Sequence, residues 1–263
     1  MAVKNPLAQA ALSSARFAKR RMFQPPVQIE TIIVDVDRTL TREDSPKLAL
    51  ESLAGKEAAH KVFDRILNDV VLGRLKLGDV HSTVFRELYS RGFKTSDWVS
   101  IMEDLERSGG LKSELIGELQ GLAGRGVTVV LATRASYESA RWIAGRFGFH
   151  HAIGSVERVN GVFQGFDLVI GAKDEGDHSM TKLTAARKAL AASSKTLDPG
   201  RTAVIANDLL DALEMLECSR GILVMPSPPN RLEKLTMALR LYDVLIREQD
   251  VVSCLKPSLG FGG

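Results

Sequence analysis

Short apolar segments alternate with helical patterns along most of the chain, and this alternation constrains the fold more than any other feature. Residues 27–35, 126–133 and 201–207 are rich in Val, Ile and Ala, as buried parallel strands are. Residues 151–156 and 221–226 resemble them more weakly. Helical patterns lie between or after them, at 111–125, 136–147, 181–192, 209–218 and 231–247. The alternation predicts an α/β fold with a doubly wound, Rossmann-like parallel sheet.

One long interval interrupts this alternation. Residues 45–110 show helical periodicity and no convincing strand, which predicts a helical lobe inserted after the first strand. Within it, apolar residues with helical spacing predict one buried helix face: Trp98, Ile101, Met102 and Leu105. Around residues 157–170, an Asn-Gly pair between alternating apolar residues predicts a β-hairpin.

These patterns predict four parts of the chain. The α/β core comprises residues 27–44 and 111–249, the helical cap comprises 45–110, and 250–263 form a tail. Residues 1–26 form a basic N-terminal extension, because the first 29 residues contain no acid and five positive charges: Lys4, Arg16, Lys19, Arg20 and Arg21. Such a segment is typical of a transit peptide, of a membrane-surface helix, or of a basic helical extension that docks on the protein or stays mobile. We favour the last, since Ala and Ser bury little apolar area.

Composition excludes several classes of protein. No apolar run approaches the roughly 20 residues that cross a bilayer, so no membrane span is expected. The net charge of +3 is small and no basic stripe alternates with aromatic residues, so nucleic acid is not an expected partner. Cys218 and Cys254 lie far apart, which predicts neither a disulfide nor a zinc site and favours a cytoplasmic location. Nothing in the sequence predicts the oligomeric state.

Polar residues follow the predicted strands. In open α/β sheets, ligands bind at the carboxyl ends of the strands. There the sequence places carboxylates, an amide, a hydroxyl and a lysine that opens a helix: Asp35, Asp37, Thr133, Asn207, Asp208, Asp211 and Lys182. This set suits phosphoryl transfer with Mg²⁺, which prefers oxygen ligands. The candidate metal ligands are Asp35, Asp37, Asn207, Asp208 and Asp211.

The chemistry assigns roles to four of these side chains. Asp35 can attack phosphorus as a nucleophile, and Asp37 can exchange protons with the leaving oxygen and with water. Both must flank the same phosphorus atom, and a strand end that turns sharply can place both. Lys182 and Thr133 can stabilise charge on the phosphoryl oxygens. Lys173 is an alternative cation, but Lys182 is favoured because it begins a helix. The five histidines show no metal-binding spacing and are expected to be structural or exposed.

Four segments resemble, in order, the motifs of the haloacid dehalogenase-like hydrolase superfamily. They are "DVDRTLT", "VVLATR", "TKLTAARKAL" and "VIANDLLDALEML". The helical insertion resembles a C1-type cap, and the hairpin region resembles the phosphoserine phosphatase-like branch. The resemblance implies a Mg²⁺-dependent phosphatase with nucleophile Asp35, acid/base Asp37, phosphate-binding Thr133, cation Lys182, and Asn207 with Asp211 on the metal side. Residues within or near these motifs are candidate phosphate or substrate ligands: Arg38, Thr39, Asp44 and Arg134.

The sequence also departs from that pattern. Arg38 replaces a usual small residue, and Ala206-Asn207 replaces the usual Gly-Asp. Asn retains a carbonyl oxygen but loses the charge, which predicts weaker metal binding. An alternative register makes Asp208 the ligand.

The substrate-binding positions depart from the phosphoserine phosphatase pattern too. Asp44 stands at the position of a substrate-gripping glutamate, and Ser82 stands where an arginine is expected. Arg74 or Arg86 could supply the missing guanidinium from a neighbouring turn. Phosphoserine is therefore only one candidate substrate.

Two function classes remain open. The first is a phosphatase that acts on a small phosphorylated metabolite. The second is a weakly active or inactive relative that binds a phosphorylated ligand or a protein partner, as Asn207 and the basic extension suggest. The presence of Asp35, Asp37, Thr133 and Lys182 favours catalysis.

Overall fold

The computed structural model describes residues 28–76, 79–170, 179–207, 211–229, 233–234, 237 and 242–261. The predicted N-terminal extension, Lys173 and Asp208 lie outside these residues.

An eight-stranded sheet forms the centre of the described structure. Its strands are β1 (Thr31–Val34), β2 (Thr128–Ser136), β3 (His151–Asn160), β4 (Val162–Ile170), β5 (Ser179–Met180), β6 (Thr202–Ala206), β7 (Arg220–Met225) and β8 (Val244–Arg247). Their order across the sheet is β5-β4-β3-β2-β1-β6-β7-β8. All neighbouring pairs are parallel except β3 and β4, which form the predicted hairpin. The α/β prediction is confirmed.

Strand β1 lies at the point where the strand order reverses. Ile33 pairs with Val130 of β2 on one side and with Val204 of β6 on the other. All four residues of β1 are buried, and alternate side chains enter separate apolar clusters, with Ile32 in one and Ile33 in the other. Both faces of the sheet are therefore covered. Ligands of open α/β sheets bind at such a reversal point, beyond the carboxyl ends of the strands.

Helices cover the sheet and form the insertion. They are α1 (Ser45–Ala54), α2 (Lys56–Val71), α3 (Val80–Ser90), α4 (Asp97–Arg107), α5 (Ser113–Ala123), α6 (Tyr137–Phe147), α7 (Lys182–Ala192), α8 (Ala212–Glu217) and α9 (Val251–Ser258). Helices α1–α4 lie between β1 and β2 in the chain, so the predicted insertion is helical. The predicted apolar face of α4 is buried at all four positions.

Aromatic contacts join this insertion to the β3–β4 hairpin. The ring of Phe85 on α3 lies 5.0 Å from that of Phe166 on β4 and 5.5 Å from that of Trp98. The indole Nε1 of Trp98 donates a hydrogen bond of 2.8 Å to Glu157 on β3. Aromatic pairs at such distances add to the stabilisation from buried area. The hairpin therefore packs against the helical insertion.

The structure differs from the sequence prediction at the C-terminal end. The helix predicted over 231–247 is wrong for Val244–Arg247, which pair with β7 as strand β8. The predicted tail contains helix α9, whose Val251 and Leu255 are buried. The two cysteines form no disulfide. Among the described residues, no helix combines the length and apolar character needed to cross a lipid bilayer.

Candidate active site

The loop after β1 brings its two carboxylates to one cavity. The backbone N–H of Asp35 still pairs with Ile205 of β6, and the chain then turns so that the N–H of Leu40 donates to Val36. Arg38 has a φ of +59°, an unusual conformation for a residue other than glycine. Asp35 and Asp37 consequently line the same cavity, which has a volume of about 330 Å³ and lies between the sheet and helices α2 and α3.

Asp35 is buried and held at both carboxylate oxygens. Lys182 Nζ lies 2.5 Å from Oδ1, and the Thr39 hydroxyl donates to Oδ2 over 2.9 Å. Burial raises the pKa of Asp35, and the Lys182 ammonium acts against this rise. These two contacts fix the orientation of the carboxylate at the end of β1.

Lys182 is the first residue of helix α7, and capping interactions fix the position at which this helix begins. The Thr181 hydroxyl caps α7 by accepting from Thr184 N–H, and Glu214 accepts from the N–H groups of Lys182 and Leu183. These acceptors satisfy donors that a helix N-terminus leaves open. Burial alone would lower the pKa of Lys182, but Asp211, also bonded to its ammonium, and Asp35 raise it. Lys182 therefore remains a cation.

Asp37 connects the loop after β1 to helix α1 and to β2. Its Oδ1 accepts the backbone N–H of Ser45, at the start of α1, over 2.7 Å. Its Oδ2 accepts the Thr133 hydroxyl over 2.9 Å. The backbone at the start of α1 therefore fixes the orientation of this carboxylate. Thr133 and Asp37, 96 residues apart, thus meet beside Asp35 in one cavity.

Asn207 is oriented by a residue that the sequence analysis did not identify. Its Nδ2 donates to Glu233 Oε1 over 2.8 Å, and its Oδ1 lies 3.2 Å from the Thr39 hydroxyl. Glu233 is fully buried and also accepts two hydrogen bonds from Arg38, of 2.7 and 3.0 Å. With its nitrogen held by Glu233, the amide directs its oxygen to Thr39, whose hydroxyl also contacts Asp35.

Two side-chain oxygens beside Thr39 match the ligand type that Mg²⁺ prefers. Asp35 Oδ2 and Asn207 Oδ1 both approach the single hydroxyl of Thr39, which has one hydrogen to donate. The two acceptors thus converge on one small region, and Mg²⁺ is commonly held by one or two carboxylates, with waters and substrate phosphate. Within the described ranges, no group of three or more His, Cys, Asp or Glu side chains is arranged to hold a metal. Asp37 and Asp211 were also predicted as metal ligands. In the structure, the carboxylate of Asp37 contacts Thr133, and that of Asp211 contacts Lys182.

The other predicted site residues divide into two groups. Arg38, Asp44, Arg134 and Asp211 line the cavity, and Thr39 is buried beneath it. Arg74 and Arg86 are exposed and do not line it. The sequence analysis missed Glu214, Glu233 and His81. Of these, only Glu214 carried a signal, because it lies three residues after Asp211 on the same helical motif.

His81 lines the cavity from helix α3, whereas the sequence analysis expected a structural or exposed histidine. The ring hydrogen-bonds to the backbone of Arg134, and its Nε2 is buried with no hydrogen-bond partner in the structure. Burial, assisted by the charges of Arg134 and Lys182, lowers the pKa of His81 to about 4. The ring is therefore neutral near pH 7.

Comparisons with known proteins agree with this arrangement. A family model described as haloacid dehalogenase-like hydrolase matches residues 32–217. No curated protein matches the chain significantly.

Several solved structures share the fold. A Bordetella pertussis Tohama I protein of unknown function has a TM-score of 0.60 and 19% identity, covering 83% of this chain and 99% of that chain. A phosphoserine phosphohydrolase-like protein from Francisella tularensis has a TM-score of 0.59 and 18% identity, covering 86% and 99%. A haloacid dehalogenase family hydrolase from Salmonella enterica serovar Typhi has a TM-score of 0.63 and 13% identity, covering 87% and 72%. At these identities the likeness shows the fold alone.

Proposed function

Because the chain belongs to the haloacid dehalogenase-like hydrolase family, we propose that it is a Mg²⁺-dependent phosphatase that hydrolyses a small phosphomonoester through an aspartyl phosphate at Asp35. One observation carries the proposal: the carboxylates of Asp35 and Asp37, the Thr133 hydroxyl and the Lys182 ammonium all line one cavity. These are the groups that phosphoryl transfer needs: a nucleophile, an acid/base, a hydroxyl and a cation.

In the first half of the reaction, a carboxylate oxygen of Asp35 forms a bond to phosphorus while the bond from phosphorus to the leaving oxygen breaks. Asp37, protonated in the substrate complex, gives its proton to that leaving oxygen. In the second half, Asp37 takes a proton from water, and the water oxygen attacks phosphorus. The bond from phosphorus to Asp35 then breaks, which releases inorganic phosphate and restores the carboxylate of Asp35 and the protonated carboxyl of Asp37.

Fixed polar groups stabilise the charge that moves during these steps. Lys182 stays cationic beside Asp35, and the Thr133 hydroxyl can turn from Asp37 to a phosphoryl oxygen. Mg²⁺, held by Asp35 and the Asn207 amide oxygen, would neutralise part of the phosphoryl charge when bound. The cap would exclude bulk water from the cavity. We also propose a cytoplasmic location, in line with the sequence, whose two cysteines, Cys218 and Cys254, lie far apart.

Substitution of the nucleophile tests this proposal. With Mg²⁺ and p-nitrophenyl phosphate, the wild type should turn over, and Asp35→Asn should lose at least about a thousandfold in kcat. Asp64→Asn is a matched control on the exposed side of α2 and should keep full activity. Circular dichroism verifies that each variant is folded. Turnover by Asp35→Asn at the wild-type rate would refute the mechanism.

The departure at Asn207 supports a second candidate, a relative that binds a phosphorylated ligand without hydrolysing it. A neutral amide in place of a carboxylate weakens Mg²⁺ binding. A wild type that is inert towards sugar, amino-acid and nucleotide phosphates, yet binds one of them in titration calorimetry, would favour this candidate over the phosphatase.

A further inference from the structure

The cavity has two chemically different walls. The sheet side carries the groups of the proposed reaction, including Asp35, Thr133 and Lys182. Helices α2 and α3 supply the opposite wall, and apart from His81 their contribution is apolar: Phe63, Leu67, Val70, Val80, Val84 and Phe85. Among the described residues, neither helix places a charged side chain in the cavity. A phosphate at the carboxylates would thus hold its organic group against an apolar surface.

A substrate carboxylate would fit this half of the cavity poorly. Two of the cations that line it are already paired, Lys182 with Asp35 and Asp211, and Arg38 with Glu233. Arg134, the third cation of the lining, lies close enough to His81 for its charge to act on that ring, and it has a partner as well. Transfer of a charged group from water to an apolar wall without a partner is strongly unfavourable. The arrangement therefore disfavours phosphorylated amino acids such as phosphoserine.

His81 adds one polar feature to the apolar wall. Because the ring contacts the backbone of Arg134 through its other nitrogen, Nε2 of the neutral ring carries a lone pair and accepts hydrogen bonds. A buried acceptor without a donor is unfavourable by itself. A ligand that donates one hydrogen bond at this position would satisfy it.

From these observations we infer that the substrate is the phosphomonoester of an uncharged, largely apolar alcohol that carries one further hydrogen-bond donor, which binds His81 Nε2. The inference rests on the proposed function and names its substrate class. The cavity, at about 330 Å³, lies near the lower end of the range for small-molecule sites, so the alcohol is small.

A chain-length series tests the apolar wall. For n-alkyl phosphates from ethyl to hexyl, kcat/KM should rise about three- to fourfold per methylene, as expected for burial of one CH₂ group. In Asp35→Asn, titration calorimetry with the same esters should show the same dependence in Kd without catalysis. Val70→Asn should flatten both dependences. The adjacent Val71 is 83% exposed and outside the cavity, so Val71→Asn should leave both unchanged.

The outcomes separate the two proposals. If the wild type hydrolyses these esters but shows no dependence on chain length, or prefers phosphoserine, the inference is overturned and the phosphatase proposal stands. If no ester is hydrolysed, the phosphatase proposal fails, and the calorimetric series alone decides the ligand class: affinity that rises with chain length supports the inference, and affinity that does not rise overturns it.

A histidine substitution tests the donor contact. Hydroxyalkyl phosphates of two to six carbons are compared with alkyl phosphates of equal length, and one member should gain about fivefold in kcat/KM from its hydroxyl. His81→Phe keeps a ring but removes the acceptor, so that gain should disappear. His60→Phe, on the exposed side of α2, is the control and should retain it. An unchanged gain in His81→Phe would show that His81 does not bind the donor.

Discussion

Restoring the usual aspartate at position 207 tests the arrangement around Glu233. Family resemblance alone suggests that Asn207→Asp should strengthen Mg²⁺ binding. The structure predicts a loss of stability for the single substitution, because Asn207 Nδ2 lies 2.8 Å from Glu233 Oε1. The exchange replaces a hydrogen-bond donor with a second carboxylate against a buried one.

The magnitude follows from the geometry. Two like charges about 4 Å apart repel by about 4 kcal/mol at an effective dielectric constant of about 20. The bidentate Arg38 guanidinium offsets part of this repulsion. We expect Asn207→Asp to lower the free energy of unfolding by about 2–4 kcal/mol, a range that includes the lost hydrogen bond.

A double-mutant cycle provides the assay. Urea unfolding is measured for the wild type, Asn207→Asp, Glu233→Gln and the double variant. The double variant again pairs one carboxylate with one amide, now with the carboxylate at position 207 and the amide at position 233. Its free energy of unfolding should therefore exceed the value expected from the sum of the two single effects by at least about 2 kcal/mol. Mg²⁺ should raise its Tm more than that of the wild type, because the ligand now carries a charge.

Asn68→Asp on the exposed surface of α2 is the matched control and should change stability by less than about 0.5 kcal/mol. The reasoning would be refuted if Asn207→Asp, measured without Mg²⁺, were as stable as the wild type. In that case Glu233 would not constrain position 207.

Two further predictions concern stability. Burial lowers the pKa of Lys112 to about 8, below the 10.5 of the unfolded chain, so the unfolded state binds more protons between these pH values and stability should rise with pH there. In urea unfolding at pH 7.5, 9 and 10.5, Lys112→Met should lose this rise and the exposed Lys61→Met should keep it. A Cβ on Gly154 would lie 2.4 Å from the backbone of residue 137, so Gly154→Ala should lower Tm strongly, whereas helical Gly145→Ala, with open space around it, should raise it slightly. Equal Tm values for these two variants would contradict the packing argument.

The part of the site that could be predicted from the sequence consists of residues at which a strong local pattern coincides with the geometry of a parallel sheet. Asp35, Thr133 and Lys182 each lie at the end of a strong pattern, a buried strand or a capped helix. Parallel strands bring their carboxyl ends to one edge, so these residues meet although they are far apart in the chain. Their roles in catalysis stay predictions.

Contacts that depend on long-range packing could not be read from the sequence. Glu233 lies 195 residues from Arg38, and no spacing connects them. Strand β8 has only four residues, too few to show an alternating pattern, and pairing with β7 decides its conformation. The same limit applies to His81, since only the packing of α3 over the sheet places it in the cavity.

In the structure, the two residues that depart from the family motifs contact the same buried residue, Glu233. Arg38 stands where a small residue is usual, and Asn207 stands where an aspartate is usual, and both donate hydrogen bonds to Glu233. A buried carboxylate requires such partners, and removal of one partner of a buried ion pair is strongly destabilising. Either reversion alone would remove at least one hydrogen bond that Glu233 now accepts. Because Thr39 and Lys182 still hold Asp35, the changed pair alters the surroundings of the proposed metal ligand Asn207 while the position of the proposed nucleophile is kept.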